Sequence, residues 1–137
     1  MTSNISVKSR ARSEMIDITS SIQKEVAESG VMEGLCVVYV PHTTAGVTIN
    51  EGADPSVCDD ILNKLNRLIP RDEGYSHMEG NSDSHIKTLL TGSSVSVIIE
   101  NNSLVLGTWQ KIFFCDFDGP RSRKINIKII QGSTDNC

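Results

Sequence analysis

The sequence predicts an α+β protein with a mostly antiparallel sheet and two main helices packed on it. Three observations carry this. Short apolar segments rich in β-branched residues outnumber helical ones, several of them are separated by residues that suit hairpin turns, and two stretches combine helical spacing with capping residues.

In chain order, Ile5-Ser6-Val7 alternates and starts the series as a strand. Asp17-Ile18-Thr19 then supplies a helix cap. Ile22 and Val26 share one face of that helix, and Gly30 ends it. Leu35 to Val40 is a continuous apolar run that fits a central strand buried on both faces, stopped by Pro41. Val47-Thr48-Ile49 reads as a short strand. The clearest helix opens at Asp54-Pro55, where Asp54 can cap and Pro55 occupies the first turn without losing a hydrogen bond. Its apolar stripe is Val57, Ile61, Leu62, Leu65, Leu68 and Ile69. Asp59 and Asp60 suit its positive end, Arg67 the other, and Pro70 stops it. Residues 71 to 86 are polar and show no regular period, a pattern more often functional than filler. The remainder is β. Val95–Ile99 and Ser103–Leu106 flank a tight Asn101-Asn102 turn, Ile112–Phe117 follows, and Ile125–Ile129 alternates as a last strand with one wet face. No internal repeat or low-complexity linker interrupts this.

The totals bound the function. At 137 residues the chain fits one domain, taken as 1–137, large enough to bury about two-thirds of its unfolded surface without disulfide staples. A net charge of −4 argues against a broad nucleic-acid groove, which needs a clustered positive field. No apolar run reaches the length of a membrane span, and Met1-Thr2-Ser3-Asn4 lacks the basic and apolar regions of a secretory signal. Cys36, Cys58, Cys115 and Cys137 form no CxxC pair and read as reduced thiols. The expected setting is therefore the cytoplasm, with neither nucleic acid nor membrane as partner.

The chemistry centres on three histidines, His42, His77 and His85, all beside turn or loop signals. On one straight helix His77 and His85 would stand ~12 Å apart, too far to share an ion. Gly80-Asn81-Ser82 can bend the chain between them. If 77–79 is extended, Glu79 lies on the side of His77, and if 81–85 begins a helix, Asn81 lies one turn from His85. Three imidazoles can hold Zn²⁺ at about 2.0–2.1 Å and leave a position for water, and manganese, iron, cobalt or nickel would accept the same ligands. Glu51 and Asp54 can orient imidazole N–H groups or supply a general base, or Asp54 can serve only as a helix cap. Arg121 and Arg123, alternating after a turn, suit bidentate contact with phosphate or carboxylate, or surface salt bridges to the preceding aspartates. Trp109 can wall a pocket or pack on the sheet.

The segments HTTAGVTINEGADPSV (42–57), YSHMEGNSDSHIK (75–87), LVLGTWQ (104–110) and DFDGPRSR (116–123) resemble, in order and spacing, those of the YjbQ family, whose members are often labelled secondary thiamine-phosphate synthases. The resemblance runs from about Val38 to Ile130. Gly46 and Ser84 stand where other small residues are common. The resemblance implies a compact, sandwich-like α+β fold, a homotrimer, and a divalent metal, commonly zinc, held by His42, His77 and His85. It also implies that Asn50, Glu51, Asn81, Trp109, Gln110, Arg121 and Arg123 line or support the site. The labelled reaction joins a pyrimidine diphosphate to a thiazole phosphate and releases pyrophosphate, with Glu51 or Glu79 handling a proton and the arginines holding phosphate. Two other readings fit the same residues: a metal-dependent hydrolase of a small phosphate or carboxylate compound, and a non-catalytic metal- or ligand-binding protein in which Glu79 closes the coordination sphere.

Overall fold

A computed structural model describes residues 2–133. The elements are β1 (Thr2–Lys8), β2 (Glu14–Asp17), α1 (Thr19–Ser29), β3 (Glu33–Tyr39), β4 (Ala45–Glu51), α2 (Pro55–Leu68), α3 (Ser82–Thr91), β5 (Ser94–Glu100), β6 (Ser103–Leu104), β7 (Gln110–Asp116) and β8 (Ser122–Gln131). They form a five-stranded sheet in the order β1-β8-β3-β5-β6 and a three-stranded sheet in the order β2-β7-β4. Every recorded pairing is antiparallel. The α+β class and the antiparallel sheets agree with the sequence reading. A third helix, α3, joins the two that were expected.

The main core lies between the inner face of the large sheet (Cys36, Val38, Val97, Ile99, Ile125 and Ile127) and a layer built from α1 and the small sheet (Ile22, Val26, Val47, Ile112 and Phe114). Each large apolar side chain fully removed from water there stabilises the fold by about 1.5–3 kcal/mol. A second, smaller cluster joins Phe113, Cys115 and Phe117 to Met15 and to Cys58, Leu62 and Leu65 of α2. The small sheet is thus covered on both faces.

Local chemistry explains most boundaries. Asp17 accepts the Thr19 N–H at 2.9 Å before α1, and Gly30 ends that helix at φ 71°. Asp54 accepts from Ser56 N at 3.0 Å, with Pro55 at the first helical position of α2. Asn101 and Asn102 sit at φ 51° and 59°, the paired positive values a two-residue hairpin needs between β5 and β6. Asn102 is further fixed by its amide donating to Val26 O and Val31 O.

Three expectations change. β3 is not buried on both faces: Cys36 and Val38 enter the core, while Leu35 and Val37 are half-covered and Tyr39 is exposed. The reason is the sheet's position, since among the described residues no helix or second sheet covers its outer face. The apolar stripe of α2 covers the small sheet only partly, and Leu68 stays 61% exposed. Part of the segment read as irregular is α3, held less by apolar packing than by hydrogen bonds. Asp83, Ser84 and Lys87 are buried and Leu89 and Leu90 exposed, so its periodicity is the reverse of an ordinary amphipathic helix.

Cys36, Cys58 and Cys115 are free thiols. Burial pushes Cys36 to about 11 and Cys115 to about 12, which suppresses their reactivity. Cys137 lies outside the described residues. Among the described residues no helix is long and apolar enough to cross a membrane.

Candidate functional site

Two crossings between the sheets, the β3–β4 connection and the β7–β8 turn, lie side by side at one end of the molecule. Phe117 N donates to Thr44 O at 3.1 Å between them. The N-terminus of α3 docks against both through the Ser84 hydroxyl, which donates to Phe117 O, and through His85 Nδ1, 3.0 Å from Thr43 O. A cavity of about 380 Å³ opens where the three segments meet. Its walls include His42, Glu79, Asn81, His85, Asp118 and Arg121.

Two histidines are fixed by main chain. His42 Nε2 lies 3.1 Å from Lys124 O and 3.0 Å from Lys124 N, so the β8 backbone holds the ring whichever tautomer is present. Burial, then the charges of Arg123 and Arg121, outweigh the Lys124 and Asp116 effects and lower its pKa. The ring is therefore neutral at pH 7. A carbonyl only accepts, so His85 Nδ1 carries the proton, and Nε2 is the ring nitrogen turned away from the main chain. His77 meets His85 edge-on at a centroid distance of 5.5 Å, with Glu79 Oε2 3.8 Å from His77 Nε2.

The floor is a buried ion pair. Arg123, 4% exposed, donates from Nε to Asp116 Oδ2 at 3.0 Å and from Nη2 to Asp116 Oδ1 at 2.8 Å and Thr44 Oγ1 at 2.8 Å. Ser9 Oγ and Asp118 N complete the shell of Asp116. The salt bridge foreseen for this arginine is thus interior, not surface, and leaves Arg123 a scaffold at the cavity wall. The Arg121 side chain is half exposed, and among the described residues its guanidinium bonds only Asp118, at 3.2 Å, while its main chain is tied to Ser9. Asp118 also accepts from Arg12 Nη1 at 3.2 Å and from Asn81 Nδ2 at 2.9 Å. That last bond sets the Asn81 amide, and its Oδ1 is left buried with no protein partner. An orphan acceptor in a cavity wall calls for a donor or a cation.

Among the described residues no three His, Cys, Asp or Glu side chains stand close enough to hold a metal ion. The donor chemistry still fits one: His42 and His85 each have one ring nitrogen beside a backbone carbonyl, the arrangement that orients metal-binding imidazoles, and Asn81 Oδ1 is unused.

The remaining expected site residues stand elsewhere. Asn50 and Glu51 end β4, where Glu51 pairs with Gln110. Strand rise puts them about 20 Å from Ala45 at the cavity end. Glu51 accepts from Ala53 N and Asp54 N, Gln110 from Gly107 N, and Trp109 is 63% exposed. In this chain these four residues serve turns and surface, and strand direction keeps them from the histidines. Asp54 acts as the cap of α2. Conversely, sequence reasoning missed Arg12, which has no motif around it, and Thr44, though it lies inside the HTTAG segment.

The comparisons agree with this architecture. Residues 3–132 match the family described as UPF0047 protein YjbQ-like. The chain is 54% identical to UPF0047 protein MJ1081 of Methanocaldococcus jannaschii over 90% of both chains. It is 46% identical to UPF0047 protein YugU of Bacillus subtilis over 95% of this chain and 99% of that one. Among solved structures, a YjbQ/UPF0047 family protein of Clostridium acetobutylicum superposes with a TM-score of 0.91 at 54% identity, covering 93% of this chain and 98% of that one. A YbjQ-like protein of Sulfolobus solfataricus gives 0.92 at 30% identity, covering 96% and 97%. Conserved along nearly its whole length and in its fold, the chain belongs to the UPF0047 YjbQ-like family.

Proposed function

We propose that the cavity between His42, His85 and Arg121 binds a divalent cation, zinc by the character of its ligands, together with a small phosphorylated substrate. We further propose that the chain acts as a transferase of the thiamine-phosphate synthase type. One observation carries this reading: imidazole nitrogens oriented from behind by main chain share a cavity with an orphan amide oxygen and an exposed arginine. His42 and His85 would hold the ion, with Asn81 Oδ1 beside them and His77 drawn in from its edge contact with His85. The bound ion would supply Lewis-acid stabilisation of charge on phosphate oxygens. Arg121 binds the departing pyrophosphate through its guanidinium fork. Arg123, tied to Asp116, keeps the wall rigid. The thiazole nitrogen displaces pyrophosphate from the pyrimidine methylene carbon without losing a proton, so Glu79, at the cavity edge, would handle only a proton of the departing pyrophosphate. Water in place of the thiazole phosphate would make the same site a hydrolase.

Elemental analysis of the purified protein tests the ion. Zinc near one per chain, lost in His42→Ala and His85→Ala, supports it, and full retention in either variant removes that histidine. Incubation of the metal-loaded protein with the pyrimidine diphosphate and thiazole phosphate tests the reaction. No thiamine phosphate, or an unchanged rate in Arg121→Ala, rejects the transferase. Phosphate-ester turnover that disappears with chelator and returns with zinc would favour the hydrolase instead.

Self-association as a homotrimer, in the cytoplasm, belongs to the same proposal. It is supported by the outer face of the large sheet, where Leu35 faces Ile98 and Ile130, themselves 56% and 47% exposed. Light scattering at the mass of one chain would reject it. The free thiols support a reducing compartment.

A further inference from the structure

We propose a second ligand site: the cavity bounded by Arg12, Ser13, Asn66, Arg71, Asp83 and Lys87, about 360 Å³, binds a small phosphate-type dianion. The proposal does not rest on the metal or on the reaction above.

The lining carries three cationic side chains and one carboxylate, in a protein whose net charge is −4. Asp83 is fully buried and already answered on both oxygens, by Arg12 Nη2 at 2.9 Å and Lys87 Nζ at 2.8 Å. Arg12 is also paired with Asp118, so the charge left over on this concave, polar surface is that of Arg71. Lys87 is 2% exposed, and its ammonium donates to Asp83 and to Asn66 Oδ1 at 2.9 Å. An ammonium has three protons, so one donor is left in a desolvated setting where a charge-assisted bond is strong. Because Asn66 Oδ1 takes the Lys87 proton, the amide nitrogen of Asn66 is its free end. Arg71 follows α2, is exposed, and among the described residues enters no hydrogen bond or ion pair. Asp72 and Glu73, next to it in sequence, do not line the cavity.

A purely structural network explains Arg12, Asp83 and Lys87, since each has its partners. It does not explain the uncompensated Arg71 or the concave polar surface in front of them. A tetrahedral dianion satisfies both, with the Arg71 fork on two oxygens and Lys87, Asn66 and Ser13 donating to the others. Arg12 touches Asp118 of the histidine cavity, but the two openings have no lining residue in common.

Inorganic phosphate titrated into the full chain by calorimetry, in sulfate-free buffer, provides the test. Saturable binding is expected, weakened about tenfold or more in Arg71→Gln, as loss of a charge-assisted fork implies. Arg67→Gln removes the same charge from α2 outside the cavity and should stay within about twofold of the parent. Lys87→Met should abolish binding, and if that variant does not fold, Arg71→Gln alone decides. Absence of saturation, equal binding by Arg71→Gln, an equal loss in Arg67→Gln, or a loss on Arg121→Gln but not on Arg71→Gln would each overturn the proposal. The last outcome would place the phosphate among the histidines.

Discussion

Replacing Arg123 with methionine isolates the buried ion pair at the cavity floor. Asp116 is wholly inaccessible and receives four hydrogen bonds, two of them from Arg123. Arg123→Met keeps most of the side-chain volume but leaves the carboxylate with only Ser9 and the Asp118 amide. Breaking such a pair from one side costs about 3–5 kcal/mol. A domain of this size holds about 5–15 kcal/mol in total, so Tm should fall by roughly 10–20 °C. The pH dependence supplies a sharper check. In the parent, burial raises the Asp116 pKa, but the bonds from Arg123, Ser9 and Asp118 outweigh it and the value is lowered. A native value below the unfolded one gives stability that is present above about pH 4 and is lost as pH falls through the native pKa. In Arg123→Met, burial dominates and the native value rises above the unfolded one. The penalty is then complete at neutral pH and fades on acidification, as the carboxyl takes up its proton in the folded state. Urea denaturation at pH 7 and pH 4.5 should show the gap between parent and variant narrowing, and Asp116→Asn in the same chain should restore part of the loss. A gap under about 1 kcal/mol at pH 7, or one unchanged at pH 4.5, would refute the reasoning.

Other expectations follow from single contacts. Asn102→Ala removes two part-buried bonds and strains a positive φ, and should cost about 1–3 kcal/mol in urea denaturation, with Asn102→Gly recovering only the φ part. A Cβ at Gly46 would press on Gly92 O at 2.5 Å and on Thr91, so Gly46→Ala should cost about 1–3 kcal/mol by thermal melting. Arg121→Ala, at a half-exposed position, should leave Tm within about 1 °C while weakening phosphate-ester binding at the histidine cavity. Alkylation of native protein at pH 8 should spare Cys36 and Cys115, raised to about 11 and 12, and label them once urea is added.

Much of the fold was legible because its signals are local. Pro55 after Asp54, Gly30 after the Ile22–Val26 stripe, and Asn101-Asn102 between two apolar runs each act within a few residues. β2 was not legible, and of α3 only a possible start at 81–85 was. The first is a short edge strand whose pairing with β7 is tertiary. The second buries Asp83, Ser84 and Lys87 and exposes Leu89 and Leu90, so hydropathy points the wrong way. The site shows the same division. His42, His85, Glu79, Asn81, Arg121 and Arg123 share one cavity, and His77 stands against His85. Asn50 and Gln110 were grouped with them by resemblance, and Glu51 and Trp109 by their residue chemistry as well, but strand direction carries all four to the far end of the small sheet. Arg12 escaped notice because only the folded chain brings its loop to Asp83 and Asp118.

Neighbouring residues of β8 divide the labour at the cavity. Arg123 points inward to lock the floor with its side chain, while Lys124 grips the His42 ring through its amide and carbonyl. Strand faces alternate residue by residue, so a shift of one position would turn the guanidinium outward and move the peptide away from the imidazole together. An insertion or deletion of a single residue in the 117–121 turn that slipped β8 by one position would also turn Ile125 and Ile127 out of the core, so the cavity and the core depend on the same register. The length of that turn is as much a part of the site as any side chain within it.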